Sequence, residues 1–420
     1  MVDGERFCGK EGTVRADGEK GEGAVLQEFS DEARAAARVV RERGLAGEGT
    51  PVLLMVSGGS DSTALAYLAS ELHAAQLVGP LAMLHVNHQL RGEDADEDAR
   101  FVEDLARLLD IPLFLCEIDV GAEAARTGGN VEAVARRERY LAANEALRSL
   151  CLHAAAPLAD GRIFTAHTAD DRAESFYMRS IVGTGPGGFR SMRYANGPVA
   201  RPLMDMSREA LRAYVENRER AGAPVACDAE GRLWREDATN AHTDRFRAYV
   251  RHEIDPRAKE RNPQLLDVLG RTMNLIADED DFMEGLAEGV AARCVTWLGD
   301  GEEDGFLLAP EFGAEPVVLQ RRVCLRALQG VLGADARIET ASVDAVLSAF
   351  EGAGGAGAGA GDAVDEQASV GAAPAASAPQ AGRPRSGYVA NIQGNLAVSA
   401  NKRGVRVEPM AAFRARRKRG

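Results

Sequence analysis

Two short stretches of the chain carry side chains whose types and spacing suit chemistry on a phosphate. The first is Ser57-Gly58-Gly59-Ser60-Asp61-Ser62. Two adjacent glycines let a backbone turn sharply and approach an anion with no Cβ atoms in the way. The amides that follow would sit at a helix N-terminus, where free N–H groups and partial positive charge favour a phosphate. The hydroxyls of Ser57, Ser60 and Ser62 add donors, and Asp61 is the residue to hold Mg²⁺ against the phosphates. The loop has no Walker-type lysine. An ordinary tight turn accounts for Ser-Gly-Gly alone, whereas the whole hexapeptide after an apolar run favours a nucleotide.

The second stretch is His167-Thr168-Ala169-Asp170-Asp171-Arg172-Ala173-Glu174-Ser175. Asp171 and Glu174 are spaced i,i+3, so they share a helix face and could grip one cation together. An acidic first turn that complements the helix dipole would explain the acids. It would not explain His167 at a strand end. Two other glycine patterns are decoys. Gly4 to Lys10 nearly spells a Walker loop, but Glu11 stands where Ser or Thr would hold the metal and no strand precedes it. Gly183 to Gly188 follows a helix rather than a strand and contains Pro186.

The elements that must position these residues follow from the hydrophobic period. Short apolar runs at 51–56, 81–86, 111–118 and 163–166 alternate with amphipathic stretches after Ser62 and at 94–109, 131–150 and 170–181. Such alternation means βα units around a parallel sheet, and the ~30-residue spacing suits right-handed crossovers. His167 then begins as a strand ends, at the carboxyl edge where ligands bind in open α/β sheets. A further helix is expected at 29–43, capped by Ser30, and another at 207–221. Helices at 265–298 and 317–332 belong to a second domain. Residues 352–382 are Gly/Ala/Ser/Pro repeats that cannot bury a core. Beyond them, 388–407 alternates and turns at Asn401 to Gly404 like a hairpin. The expected domains are a flexible extension at 1–24, a catalytic domain at 25–256 and a helical domain at 257–351. A flexible insertion at 352–384 and a hairpin with a basic tail at 385–420 complete the chain.

Composition sets the outer limits. The chain has 420 residues, room for two or three domains of ~100–200 residues each. Hydrophobic residues make up 45%, which excludes a disordered chain. The net charge of −14 argues against a generally basic nucleic-acid coat or a polybasic membrane binder. A local cationic patch survives that argument: the last twenty residues hold Lys402, Arg403, Arg406, Arg414, Arg416, Arg417, Lys418 and Arg419 against Glu408. No apolar run approaches the ~20 residues of a membrane helix, and the first residues lack a signal-peptide core. The six cysteines contain no CxxC pair. A disulfide framework, a zinc ribbon and a cysteine-ligated cluster are therefore not expected. A reduced, cytoplasmic protein is expected.

The hexapeptide loop resembles the pyrophosphate loop of ATP pyrophosphatases, which cut ATP between its α- and β-phosphates. That resemblance leaves amide-forming synthetases, tRNA-thiolating enzymes and lysidine synthases open. Further motifs narrow it. HTADDRAES matches HxxDDxxET, with Ser175 in place of Thr. His85-Val86-Asn87-His88-Gln89-Leu90-Arg91-Gly92 matches HVNHxLRG, and Glu132 to Tyr140 matches ExxARxxRY. Ile181 to Met192, Arg201-Pro202-Leu203 and Asp237-Ala238-Thr239-Asn240 add to these. Together they resemble the tRNA(Ile)-lysidine synthase family, over roughly Pro51 to Pro256. One segment departs from the pattern. Where the family reads RNRIRHxLxP, this chain reads RAYVRHEIDP from Arg247 to Pro256.

The resemblance implies an α/β fold: a parallel-sheet, Rossmann-like ATP pyrophosphatase domain, then a smaller, mainly helical C-terminal domain with a terminal β-hairpin. It implies ligation of L-lysine to C2 of the wobble cytidine of tRNA(Ile) with a CAU anticodon, using ATP and Mg²⁺. The catalytic residues would be Asp61, Asp170, Asp171 and Glu174. Asp171 and Glu174 would receive the lysine ammonium, with Asp170 nearer the metal or the loop. Ser57, Gly58, Gly59, Ser60, Asp61 and Ser62 would bind ATP, with Asp61 on the metal. Substrate contacts would come from His88, Arg91, Arg136, Arg139 and His167. The helical domain would bind tRNA, no membrane partner is implied, and a homodimer is left open. Two rivals stand beside this reading: another tRNA-modifying ATP pyrophosphatase such as a cytidine thiolase, and a non-catalytic tRNA-binding paralogue.

Overall fold

The computed structural model describes residues 29–89, 92–236, 246–299, 301–333, 336–350 and 382–419. They divide into two compact units, with the boundary between Ile276 and Ala277. The expected extension at 1–24 and nearly all of the insertion at 352–384 lie outside the described residues, as do Arg91 and the Asp237 to Asn240 motif.

The first unit opens with α1 (Asp31–Glu42), whose N-cap Ser30 accepts the Ala33 amide. It continues through β1 (Val52–Met55), α2 (Ser60–Ala74), β2 (Leu81–Asn87), α3 (Glu93–Leu109) and β3 (Leu113–Glu117). Next come α4 (Val120–Thr127), α5 (Val131–His153), β4 (Arg162–Phe164) and α6 (Ala169–Val182). The short strands β5 (Ala195–Asn196) and β6 (Val199–Ala200) precede α7 (Arg208–Arg220). After that, α8 (Phe246–Tyr249) runs through a wide π turn at Val250–Ile254 into α9 (Asp255–Arg261).

The sheet order is β3-β2-β1-β4-β6-β5, parallel except for β5. Both faces are covered, so the strands read as continuous apolar runs. Successive side chains of β1 point to opposite faces. Val52 and Leu54 pack among Val40, Leu65, Leu68 and Phe101, while Leu53 packs with Leu84, Ala143, Leu147 and Leu150. The chain steps outward from β1 to β2 and β3, then returns to the other side of β1 with β4. The strand order therefore reverses between β1 and β4, and a ligand crevice opens at such a reversal.

The long helix α10 (Leu265–Cys294) carries the chain into the second unit, which adds β7 (Val295–Trp297), β8 (Phe306–Leu308), α11 (Val317–Leu332) and α12 (Thr340–Leu347). It ends with β9 (Val389–Ile392), β10 (Leu396–Asn401), β11 (Gly404–Pro409) and α13 (Met410–Arg419). The expected hairpin is β10–β11, paired from Leu396↔Pro409 to Asn401↔Gly404. It is the middle of a five-stranded antiparallel sheet ordered β7-β8-β11-β10-β9. Val405 pairs with Leu308 across the insertion. Residues 277–350 and 382–419 thus share one core, with Val323, Leu328, Val346, Val398 and Val407 buried together. The compact units divide at 276, twenty residues past the expected 256, and the helices and the hairpin of the second unit share one core. Strands of three residues such as β7 and β8 are too short to show alternation in sequence. Among the described residues, no helix is long and apolar enough to cross a membrane.

Candidate functional site

The hexapeptide joins β1 to α2. Gly58 has φ +91, a conformation that favours glycine, and its Cα faces the Arg235 side chain. The loop braces itself. The Ser62 hydroxyl donates to the Gly59 carbonyl (3.0 Å) and accepts the Ser57 amide (3.1 Å), and Thr63 donates to the Gly58 carbonyl (3.3 Å). Ser62 therefore shapes the turn, because its one hydroxyl hydrogen is already used there; it is not a spare phosphate donor. Asp61 is the second residue of α2, half-buried, and its carboxylate accepts from the Ser60 hydroxyl. Burial pushes the Asp61 carboxyl above the usual carboxylate range; Arg208 only partly offsets this, and the Asp171 charge adds to it.

His167 to Glu174 leave β4 beside this loop. Thr168 caps α6: its hydroxyl accepts the Asp171 amide, and Asp171 in return accepts from the Thr168 amide (2.8 Å). Glu174, 1% exposed, accepts from Arg251 Nε (2.6 Å) and Arg247 Nε (2.7 Å). Asp171 accepts from Arg247 (3.0 Å) and Arg208 (3.3 Å). Burial alone would raise the Asp171 carboxyl, but Arg208 and Arg247 outweigh it and hold the group below its ordinary value. Arg251 lies within the π turn, a deviation often found at functional sites.

Asp170 is placed differently from expectation. One oxygen takes Lys259 Nζ at 2.6 Å, the other takes the Arg208 backbone amide at 2.7 Å, and the carboxylate does not line the cleft. It fastens α6 to α7 and α9. The single cation grip expected of Asp171 and Glu174 is also already filled by guanidinium groups.

A cleft of about 860 Å³ opens over the carboxyl ends of β1, β2 and β4. Ser57, Gly59, Ser60, Asp61, His88, Arg136, Arg139, His167 and Asp171 all line it, so ten of the described expected residues, counting Ser62, converge there. His167 Nδ1 meets Thr165 Oγ1 at 2.9 Å. Burial holds its ring pKa down to about 4, with Arg201, Arg247 and Arg136 reinforcing that against Asp171. The imidazole is neutral at pH 7. Arg139 reaches His88 Nε2 at 3.4 Å, and Arg136 stacks over the Tyr140 ring at 5.2 Å. Among the described residues, neither arginine has a carboxylate partner, so this wall of the cleft suits an anion. His85, by contrast, is buried with its ring on the Val56 carbonyl (2.9 Å) and braces β1 against β2.

Several cleft residues were not singled out from sequence: Arg208, Arg212, Trp234, Arg235 and Arg251. Arg235 donates its backbone amide to the Gly58 carbonyl (2.9 Å), and its side chain is tied to Asp98, Asp228 and Glu97. It pins the loop's outer side. Arg247 and Arg251, one helical turn apart within the RAYVRHEIDP segment, carry the one signal that was legible: two cations on one face.

A family model described as PP-loop domain matches residues 31–258. Curated relatives include the tRNA(Ile)-lysidine synthase of Geobacter sulfurreducens, 32% identical over 73% of this chain and 60% of that protein. The protein of the same name from Symbiobacterium thermophilum is 35% identical over 70% of this chain and 58% of its own length. That from Thermus thermophilus is 34% identical over 67% and 49%. The chain thus spans between about half and three-fifths of the length of these relatives. The match covers the whole sheet, the loop after β1 and the acidic helix after β4, and on that ground the chain belongs to the PP-loop domain family.

Proposed function

We propose that the chain ligates L-lysine to C2 of the wobble cytidine of tRNA(Ile) with a CAU anticodon, consuming ATP and releasing AMP and pyrophosphate. One observation carries the reading: the Ser57–Ser62 loop and the His167–Asp171 stretch open into a single cleft that Arg136 and Arg139 also line, with no carboxylate partner for either among the described residues. The names of the curated relatives supply the substrate.

The cytosine C2 oxygen is a poor leaving group until it is adenylated, after which AMP can depart. The loop amides hold the polyphosphate, and electrostatic stabilisation there supplies most of the first step. Asp61 fits a magnesium ion. Its carboxylate lines the cleft beside the loop amides, with Arg208 as its ion-pair partner, and Mg²⁺ characteristically takes one or two carboxylates together with substrate phosphates. When bound, that ion neutralises polyphosphate charge. In the second step the lysine ε-amine must be neutral, although its free pKa is ~10.4. Asp171, the carboxylate of the pair that faces the cleft, meets the ammonium, with Glu174 behind it holding Arg247 and Arg251 in place. Arg136 and Arg139 receive the lysine carboxylate or an RNA phosphate.

The test is ATP–pyrophosphate exchange with and without added tRNA(Ile). The reading expects exchange only when the tRNA is present, and consumption of lysine afterwards. A non-catalytic binding paralogue gives no exchange, and a thiolase consumes no lysine.

A further inference from the structure

The loop after β1 carries no lysine, yet a polyphosphate needs a cation beyond what amides supply. We infer that α7 provides it: Arg212 is the side chain that binds the β- and γ-phosphates of ATP and then the departing pyrophosphate. This rests on the reading of the cleft as an ATP site.

Arg208 and Arg212 are one helical turn apart on α7, and both reach the loop. Arg208 Nε meets Asp61 at 3.1 Å, and Arg212 Nε meets the Ser60 hydroxyl at 3.4 Å. Their charges are in different states. Arg208 is committed to Asp61, Asp171 and Glu174. Arg235, on the other side of the loop, is committed to Glu97, Asp98 and Asp228. Arg212 has no carboxylate within ion-pair distance among the described residues. It is exposed, lines the cleft, and touches the loop only through a long bond to a neutral hydroxyl.

The guanidinium is nonetheless held in place. It sits 5.7 Å from the Trp234 ring centroid, within cation–π range, and Trp234 packs against the main core. A planar fork bonded only through Nε to a neutral hydroxyl among the described residues, resting on an aromatic ring beside the loop amides, matches a phosphate oxygen pair. On the opposite wall, Arg136 and Arg139 stand with His88 and Tyr140 rather than with the loop. Arg212 is therefore the cation placed to serve the polyphosphate.

The experiment is titration calorimetry of the full chain with inorganic pyrophosphate, ATP and AMP, each with Mg²⁺, using wild type, Arg212→Gln and Arg212→Lys. Arg212→Gln is expected to weaken pyrophosphate and ATP by about tenfold to a hundredfold, the range of one charge-assisted bond. AMP, which lacks the outer phosphates, should bind as before. Arg212→Lys should recover part of the loss, and the unfolding midpoint should be unchanged. Equal pyrophosphate affinity in wild type and Arg212→Gln would overturn the inference. So would a loss seen equally with AMP, or one confined to tRNA binding. A wild type that binds no pyrophosphate would overturn it together with the ATP site. If pyrophosphate binding depends on Arg212 but lysine is never joined to tRNA, the ligase reading fails and this inference stands.

Discussion

Asp61 and Arg208, 147 residues apart in sequence, meet at 3.1 Å and join the phosphate loop to the acidic helix. Arg208 also faces Asp171 and Glu174, and this company of carboxylates holds its guanidinium well above the ordinary arginine value despite burial. One cation thus bridges the loop and the acidic helix.

That pairing shapes the first prediction. Asp61→Ala should abolish turnover with ATP and Mg²⁺, because it removes the carboxylate proposed to meet the metal. The fold should survive, since burial already disfavours the Asp61 charge. Near-wild-type rates in a steady-state assay would show that the loop has been misassigned.

The two acids of α6 should separate. Asp171→Asn is expected to raise the lysine KM and let adenylated tRNA accumulate, which trapping of that species would detect. Glu174→Gln removes the buried hydrogen-bond partner of Arg247 and Arg251, which Arg208 also faces at 3.7 Å. It should cost about 3 kcal/mol, the low end for a broken buried pair because both arginines are partly exposed. Urea denaturation of the two variants measures the difference. Equal stability would contradict the anchoring role of Glu174, and unchanged lysine kinetics in Asp171→Asn would remove that residue from the lysine site.

His167 gives a pH dependence of known sign. Its folded pKa of about 4 lies below the ordinary 6.5. Between these values the unfolded chain binds a proton that the folded chain refuses. Its contribution therefore lowers stability as pH falls from about 6.5 to about 4, and is constant above that window. His167→Gln should flatten this part of the stability profile. In wild type, the ring resonances should stay in the neutral form at pH 6; protonation there would contradict the burial argument.

The basic C-terminus is a folded helix rather than a tail. Arg416 and Arg406 both hold Glu408, whose side chain is 3% exposed. Deleting the helix would leave that buried charge with Arg406 alone, so a truncation would confuse binding with folding. Replacing Arg414, Arg417 and Lys418 by Gln avoids this. If the helix contacts tRNA phosphates, affinity should fall and the log–log salt slope should shrink by about two to three, one charge each. Overlapping salt series for the two proteins would leave the helix without a binding role.

The parts of the site legible in sequence are those made by neighbours in the chain. Ser57–Ser62 and His167–Glu174 combine local turn chemistry with a strand before and a helix after, and the alternation of 51–181 places both at strand ends. The arginines were not legible in the same way. Arg208, Arg212 and Arg235 look like solvated residues of amphipathic segments, and nothing local distinguishes a guanidinium that faces water from one that faces a loop 150 residues earlier. The filled state of Glu174 follows from the same cause: its partners come from α8 and the π turn, and only tertiary packing brings them together. In the second unit, strands of three residues left the sheet invisible until β11 supplied its partner.

The most direct test of the central claim is to incubate the chain with tRNA(Ile) bearing a CAU anticodon, ATP, Mg²⁺ and labelled lysine, and to digest the tRNA for nucleoside mass analysis. The account predicts one lysine joined to the wobble cytidine for each AMP and pyrophosphate released. ATP turnover that leaves the cytidine unmodified, or modification that incorporates no lysine, would contradict it.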